Sequence, residues 1–598
     1  MQSRHYRAGY TLLEVLIAML ILALVSVALF QSYGSIVTVI KAARVKSIAT
    51  NLANEQFEIA RNLPFDAVGI VNGIPPGLLV HEQTVPRDGF NFEVITTIRN
   101  VDDPFDGTIG STTNKDLAPA DYRLVEINIG CATCVPPLLP ITLTSTIGPR
   151  NLETTSNNGA LFVNVFDATG LPVVGADVHI ENNTLTPPII IDDITNAKGE
   201  LQIVDVPPGA GAYAISVSKS GYSSERTYPT GDPDNPNPVK QDATVAIQEL
   251  TNTSFAIDVT SALNVTSSNN TCEAIGDIDF KLSGTKLIGT SPDILKYTSN
   301  NATNAQGTLN VPILEWDAYA LSLTDAGYDL AGSIPSLPLA LNPGVSQDMR
   351  LIAVPKNPKG LLVTVKDTAT GLPISSADVS LSAGPLFQVA TTGRGFLSQT
   401  DWSGGSGQAD FIDKTRYLSS NGNVDTTSSP GDLYLSFFAG EYQPNGTLIS
   451  SSFDTGAESN FAQLSWEPQS QPQDTGADSV KLQLATNTDN ATWNFIGPDG
   501  TAGTYYTLAD KNISSAHNGN RYLRYQLYMN SASTTFTPTV SDITFTFSSD
   551  CIPSGQTFFS GLSTNDYTLT VEKSGYQIYS GTVTVAAPWQ EAVVNLTP

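Results

Sequence analysis

Charge is scarce in this chain. Only 15% of its 598 residues are Asp, Glu, Lys or Arg, against about a quarter in an average globular protein. Basic residues are the scarcer kind, 30 against 57 acidic ones, and the net charge of -27 repels phosphate backbones, which excludes nucleic-acid binding through a basic patch. Four cysteines are too few for a disulfide scaffold. Four histidines leave little material for imidazole catalysis, and His81, His179 and His517 fall in three different predicted domains. The sequence contains no HExxH pair, no G-x-S-x-G elbow and no glycine-rich phosphate loop leading into a helix. Neither an enzyme nor a cofactor is therefore expected. What is plentiful is glycine (47) and proline (37), with Ser, Thr and Asn between apolar residues that make up 40% of the chain. That composition fits turn-rich exported β-structure with several cores and excludes wholesale disorder. The length corresponds to roughly four domains at about 150 residues each.

The most informative segment is the first. Arg4, His5 and Arg7 precede Gly9-Tyr10-Thr11-Leu12-Leu13-Glu14, and after Glu14 no charged residue occurs until Lys41. As a helix this run would span about 39 Å, more than the roughly 30 Å hydrocarbon core of a bilayer. Arg4 and Arg7 place the N-terminus on the cytoplasmic side. A secretory signal would carry its small residue after the apolar run, whereas Gly9 lies before it. Glu14 is a carboxylate at the edge of an apolar segment, where burial is costly unless it is paired. A helical period continues through Val45, Ile48, Leu52, Ile59 and Leu63 and stops at Pro64, so one helix is predicted over 10–63, apolar all round in its first half and amphipathic in its second.

Gly9 followed by Tyr-Thr-Leu-Leu-Glu resembles the cleavage and methylation motif of type IV prepilins and their pseudopilin relatives, with tyrosine where phenylalanine is usual. The resemblance implies a leader over 1–9, cut by a prepilin peptidase after Gly9, with Tyr10 as the N-methylated new terminus. It implies that Glu14 neutralises the amino terminus of a neighbouring subunit during assembly. It also implies a single-pass protein of the cytoplasmic membrane, N-terminus inside and head exported, that assembles through its helix with other pilin-like subunits into a surface filament.

Residues 64–150 read as a pilin-like antiparallel β head, with strands over 90–98, 122–129 and 141–147. The loop Asp102-Asp103-Pro104-Phe105-Asp106-Gly107 collects carboxylates suited to Ca²⁺. Asp-Pro and Asp-Gly are equally turn chemistry, and the turn reading is preferred because no complete calcium-loop signature is present. Cys131 and Cys134 form a CxxC without a second pair or histidines for zinc and without a βαβ redox context, which favours a short disulfide on the exported side. Whether Cys272 and Cys551 pair is left open.

The rest of the chain repeats. Gly170-Leu-Pro-Val-Val-Gly-Ala176-Asp177-Val178 and Gly371-Leu-Pro-Ile-Ser-Ser-Ala377-Asp378-Val379 share six residues of nine. A strand ending in Gly-Tyr occurs three times, from Tyr213 to Tyr222, Tyr319 to Tyr328 and Tyr567 to Tyr576, and Thr195 to Gly199 matches Thr303 to Gly307. The repeat resembles the carboxypeptidase regulatory-like module, a transthyretin-like β-sandwich that implies no peptidase activity. Sandwiches are expected over 151–250, 251–355, and 356–390 plus 550–598, with a further β-sandwich over 391–549 inserted into the third at a loop. The fold class is thus a long N-terminal helix and small antiparallel sheet followed by tandem β-sandwiches. The proline-rich stretches 229–238 and 355–358 read as semi-rigid linkers. In the insert, Tyr522, Arg524, Gln526 and Tyr528 share one face of a strand and could hold a glycan by stacking and hydrogen bonds; the alternative is a plain sandwich face with tyrosine as strand former, which is preferred. The expected function is a minor or tip filament subunit with an adhesive or spacer head. The alternatives are a pseudopilin of a type II secretion-like system, or a simple membrane-anchored surface protein.

Overall fold

The computed structural model describes residues 11–135, 137–150, 155–428 and 431–598. The chain forms two compact units, one reaching to Val259 and including Leu287–Ile294, the other comprising Thr260–Lys286 and Leu295–Pro598. The architecture is one long helix followed by a β-rich chain.

The helix runs from Leu12 to Asn62. Thr11 caps it, and the last turn ends at Leu63, because the residue before Pro64 is pushed out of helical geometry. Its large apolar residues from Leu12 to Ile40 are exposed, apart from the half-buried Val37. Burial begins at Val45 and continues through Ala49, Leu52, Ala53, Phe57 and Ala60, a stripe at helical spacing. This corrects the sequence-derived face: Ile59 is 43% exposed, and alanines carry half of the contact. Their small side chains let the helix lie close against the strands Tyr122–Cys131 and Leu138–Ile147.

Those strands belong to a four-stranded antiparallel sheet that also contains Glu82–Arg87 and Phe90–Val101, the first of which the alternation pattern did not reveal. Phe92, Val94, Ile98, Val125, Ile127 and Ile129 face the helix and form the head's core.

In the same unit, Gly159–Phe166 pairs in parallel with Leu250–Ala256 and antiparallel with Glu200–Val206. A second sheet centred on Asp177–Asn182 and Gly209–Ser218 packs across it through Leu161, Val163, Val165, Val178, Ile215 and Val217. The stretch from Pro229 to Pro238 is not a linker here. Tyr228 N–H donates to the Lys240 carbonyl (2.9 Å), and Asn235, only 6% exposed, donates to the Ile288 carbonyl (3.0 Å). Its polar backbone is satisfied locally, which fixes it as a packed loop.

The second unit repeats the pairing twice. Ser261–Ser268 lies parallel to Ser346–Pro355, and Gly360–Asp367 lies parallel to Trp589–Leu596. Three buried threonines occupy matching places: Thr195 Oγ1 accepts from Ala176 N–H (2.9 Å), Thr303 Oγ1 from Ile278 N–H (3.0 Å) and Thr392 Oγ1 from Ala377 N–H (3.0 Å). Three buried tyrosines do the same, donating to the carbonyls of Pro207, Glu315 and Ser563 from Tyr213, Tyr319 and Tyr567. Each of these bonds satisfies a buried polar group that the tyrosine's apolar body carries inward. Pro355–Pro358 also departs from the linker reading, since Lys356 N–H donates to the Gly327 carbonyl (2.8 Å).

Between Leu386–Thr391 and Gln556–Phe559, both strands of the last sandwich, the chain forms a separate sheet from Gly395–Gln399 to Asp542–Ser548 around the long strands Phe453–Glu467 and Asn520–Asn530. Trp402, Trp466, Phe453, Tyr525 and Phe545 fill its core. Trp402 Nε1 donates to the Tyr525 hydroxyl (2.7 Å), which donates to Gln399 Oε1 (2.8 Å).

His517, 1% exposed, meets Thr486 Oγ1 through Nδ1 (3.0 Å), while its Nε2 has no hydrogen-bond partner among the described residues. Burial pushes its pKa down to about 4. The unfolded chain titrates near 6.5, so as pH falls from about 6.5 to 4 the unfolded state takes up a proton that the folded state refuses. Stability attributable to this residue is therefore fully present above pH 6.5 and falls by up to about 3 kcal/mol at pH 4. Melting curves of the parent and His517→Gln proteins between pH 7 and 4 check this: the variant should lose less stability across that window, and equal losses would contradict it.

Candidate functional site

The residues that sequence reasoning placed at the N-terminus divide at Thr11. Gly9 and Tyr10 lie outside the described residues. Thr11 and Glu14 form a reciprocal cap in which Thr11 N–H donates to Glu14 Oε2 (2.8 Å) and Glu14 N–H donates to Thr11 Oγ1 (3.3 Å). The Thr11 hydroxyl donates to the same carboxylate oxygen (3.1 Å). This cap satisfies helix donors that would otherwise be orphaned. It also holds an exposed carboxylate at the first turn, beside the place where cleavage after Gly9 would leave a new amino terminus. Behind it, the helix is long and apolar enough to cross a membrane, and none of its most apolar stretch is buried in the protein.

The acidic loop is built differently from its sequence reading. Asp102 comes together with Asp116 and Asp121, a carboxylate oxygen of each lying within 4.8 Å of the others. Asp103 and Asp106 are not members. Asp103 Oδ1 accepts from Phe105 N–H in a local turn (3.1 Å), and the Asp106 carbonyl accepts from Asn114 Nδ2 (2.7 Å). The Asp103 carboxylate caps the Asp-Pro turn and Asp106 is held through its backbone carbonyl, while folding of the loop delivers two partners for Asp102 from its far end. Burial pushes the Asp102 carboxyl pKa up, the Ile109 N–H works against that, and the charges of Asp116, Asp106 and Asp103 add to the rise.

Cys131 is bonded to Cys134 at the end of a head strand, both 1% exposed, and Cys272 is bonded to Cys551. The second bond ties the turn after Ser261–Ser268 to the point where the chain leaves the inserted sheet. Arg350 Nη1 donates to the Cys551 sulfur (3.1 Å).

Tyr522, Arg524, Gln526 and Tyr528 lie along one strand, but their face is roofed. Arg524 is 7% exposed, donates to the Ala409 carbonyl (2.8 Å) and stacks its guanidinium 4.3 Å from the Trp493 ring. Tyr528 donates to Gln483 Oε1 (2.9 Å) and meets Tyr505 edge-on at 5.0 Å. Gln526 lies opposite Gln483, and Tyr522 lies beneath the Arg521 guanidinium. Strand alternation identified the shared face; the covering rings come from the segment between Asn487 and Lys511, which no local pattern ties to it.

Sequence reasoning missed a polar junction inside the first unit. Arg99, on the head strand Phe90–Val101, donates through Nε to Asp193 Oδ2 (2.6 Å), through Nη2 to Asp193 Oδ1, and through Nη1 to Glu126 Oε2 (2.9 Å). Burial opposes the charge on Arg99, yet the two carboxylates outweigh it and hold its pKa above the ordinary value. His81 and His179 line the adjoining cleft with Asp192 and Asp193. His179 Nδ1 lies 2.6 Å from Asp192 Oδ1 and His81 Nδ1 lies 3.1 Å from the Thr96 carbonyl.

Residues 4–30 match the family described as the prokaryotic N-terminal methylation motif. No match was found among curated proteins. Among solved structures, the TIE protein of Bacillus anthracis is 12% identical, with 52% of this chain and 66% of that chain covered and a TM-score of 0.15; the chain thus spans just under two thirds of that relative. The shaft pilin of Lactobacillus rhamnosus GG is 12% identical over 33% of this chain and 98% of that chain, TM-score 0.13. The minor pilin of Streptococcus agalactiae is 12% identical over 34% of this chain and 99% of that chain, TM-score 0.16. At such TM-scores these likenesses carry no argument about fold or role. The chain therefore carries a prepilin-type methylation motif leading into a helix long and apolar enough to cross a membrane.

Proposed function

We infer that the protein is a minor or tip subunit of a type IV pilus-like filament. In this reading a prepilin peptidase cleaves after Gly9, Tyr10 becomes the methylated terminus and Glu14 pairs with the amino terminus of a neighbouring subunit. The apolar half of the helix first anchors the chain in the cytoplasmic membrane, with the N-terminus inside, and then packs in the filament. The β-rich remainder, read as carboxypeptidase regulatory-like sandwiches with an inserted domain, is an exported, non-catalytic head that adheres to a surface glycan or protein, or acts as a spacer.

The observation that carries this reading is the coincidence of the methylation motif over 4–30 with a helix whose first half is exposed all round and whose second half packs on a sheet. Minority follows from bulk, since closely packed helices leave no room for so large a head on every subunit. The test is the molar ratio of this protein to the principal subunit in filaments sheared from cells. A small ratio supports the reading. A ratio near one contradicts minor status, and retention in the membrane fraction would favour a secretion-machine subunit or a simple anchor.

A further inference from the structure

We propose that the loop between the head strands Phe90–Val101 and Tyr122–Cys131 binds one calcium ion through Asp102, Asp116 and Asp121. Their carboxylates come from the start, the later part and the end of the loop, and an oxygen of each lies within 4.8 Å of the others. Three like charges this close repel unless a cation or protons lie between them.

The independent sign of a ligand is Asp116. It is 8% exposed, and one of its oxygens, Oδ1, accepts from Ala118 N–H (2.8 Å). The other, Oδ2, is buried and has no donor among the described residues. Asp102 repeats the arrangement: Oδ2 accepts from Ile109 N–H (3.0 Å), and Oδ1 is buried without a donor among the described residues. A buried carboxylate oxygen left in this state is costly. Each of these residues thus uses one oxygen to shape the loop and keeps the other for something that the described residues do not supply. The loop's lone basic residue, Lys115, is turned away and pairs with Glu249 at 2.8 Å.

The donor set is entirely oxygen, which selects a hard cation over zinc. Oxygens on opposite sides of a calcium ion, at about 2.3–2.6 Å each, are about 5 Å apart, whereas a magnesium ion holds them near 4 Å. The three oxygens, all within 4.8 Å of one another, fit inside the calcium span, with backbone carbonyls and water to complete the shell, and magnesium, which dehydrates reluctantly and demands octahedral geometry, is expected to bind such a set more weakly. Binding would also brace the neighbouring contact. Ile109, 3% exposed, packs in this loop against Ala160 and Val204 of the first sandwich.

The test uses the full-length protein in detergent, stripped with EDTA and titrated calorimetrically with CaCl₂ and separately with MgCl₂. One calcium per chain is expected, with magnesium at least about tenfold weaker. Asp116→Asn and Asp102→Asn should each weaken calcium binding about tenfold or more, while Asp106→Asn, outside the cluster, should bind as the parent does; one charge removed from such a site is worth at least about 1.4 kcal/mol. Tryptic cleavage after Lys115 should slow when calcium is added to the parent and be unaffected in Asp116→Asn. No calcium binding by the parent, equal binding of magnesium, or parent-like affinity in both Asp102→Asn and Asp116→Asn would overturn the proposal. If one of those variants fails to fold, the other with Asp106→Asn decides it.

Discussion

Glu14→Ala is expected to deplete the protein from sheared filaments about a hundredfold while leaving it folded and inserted in the membrane. The reason lies in what the side chain does at two stages. Before assembly it is an exposed half of a cap with Thr11, worth about 1 kcal/mol to the helix start. In the proposed filament core the same carboxylate would lie among apolar helices, where it is costly unless a cation neutralises it, and the amino terminus that cleavage would leave is the cation this reading supplies. A loss of about 3 kcal/mol of pairing corresponds to a factor of more than a hundred. Glu14→Gln separates the two roles, because an amide oxygen can still accept from Thr11 N–H and keep the cap, but carries no charge. Both variants should be absent from filaments, and near-normal incorporation of Glu14→Gln would show that the cap, not the charge, is what assembly uses.

Arg99→Ala should lower the stability of the first unit by about 3–5 kcal/mol, because it strands a carboxylate, Asp193, whose side chain is only 5% exposed. The fork of Arg99 grips both oxygens of Asp193 and also reaches Glu126, so it joins the head sheet to the strand Ile189–Ile194 of the neighbouring sandwich. Arg99→Lys keeps the charge but cannot make the two-pronged contact, and should recover only part of the loss. Adding Asp193→Asn to Arg99→Ala should restore stability relative to Arg99→Ala alone, since the uncompensated charge is then gone. These effects are read from thermal unfolding of the full-length protein in detergent. A shift within about 1 kcal/mol for Arg99→Ala would mean that the contact is solvated and of surface strength.

How much of this was legible in the sequence depended on the range of the interaction. The helix was readable because an uncharged run, an apolar period and Pro64 are all local signals. Its buried face was readable in part: Val45 and Leu52 are buried and Ile48 and Leu63 pack against the head core, but Ile59 is exposed, and the pattern gave no sign of Ala49, Ala53 and Ala60, which packing close to a sheet selects. The repeats were readable in the Tyr-to-Gly-Tyr strands and the Ala-Asp-Val segments, each of which keeps its own internal spacing even where the inserted sheet separates the two. Thr392 escaped notice because its turn lacks the Asn-Ala that marks Thr195 and Thr303, although it makes the same hydrogen bond.

At the candidate sites the same rule holds. Asp102 was visible as part of an acidic run, but Asp103 and Asp106 were grouped with it by proximity in sequence, while Asp116 and Asp121 arrive only when the loop closes. Arg99 and Asp193 carry no local pattern at all, being 94 residues apart. The alternation that placed Tyr522, Arg524, Gln526 and Tyr528 on one face is a property of any strand, and it contains no information about Trp493 and Tyr505 lying over that face.

The central claim is that this chain is processed as a prepilin and enters a filament. The most direct measurement is mass spectrometry of the N-terminal peptide from filaments sheared from native cells. The expected peptide begins at N-methylated Tyr10. A peptide that still contains Gly9, or no trace of the protein in the sheared fraction while it persists in membranes, would contradict it.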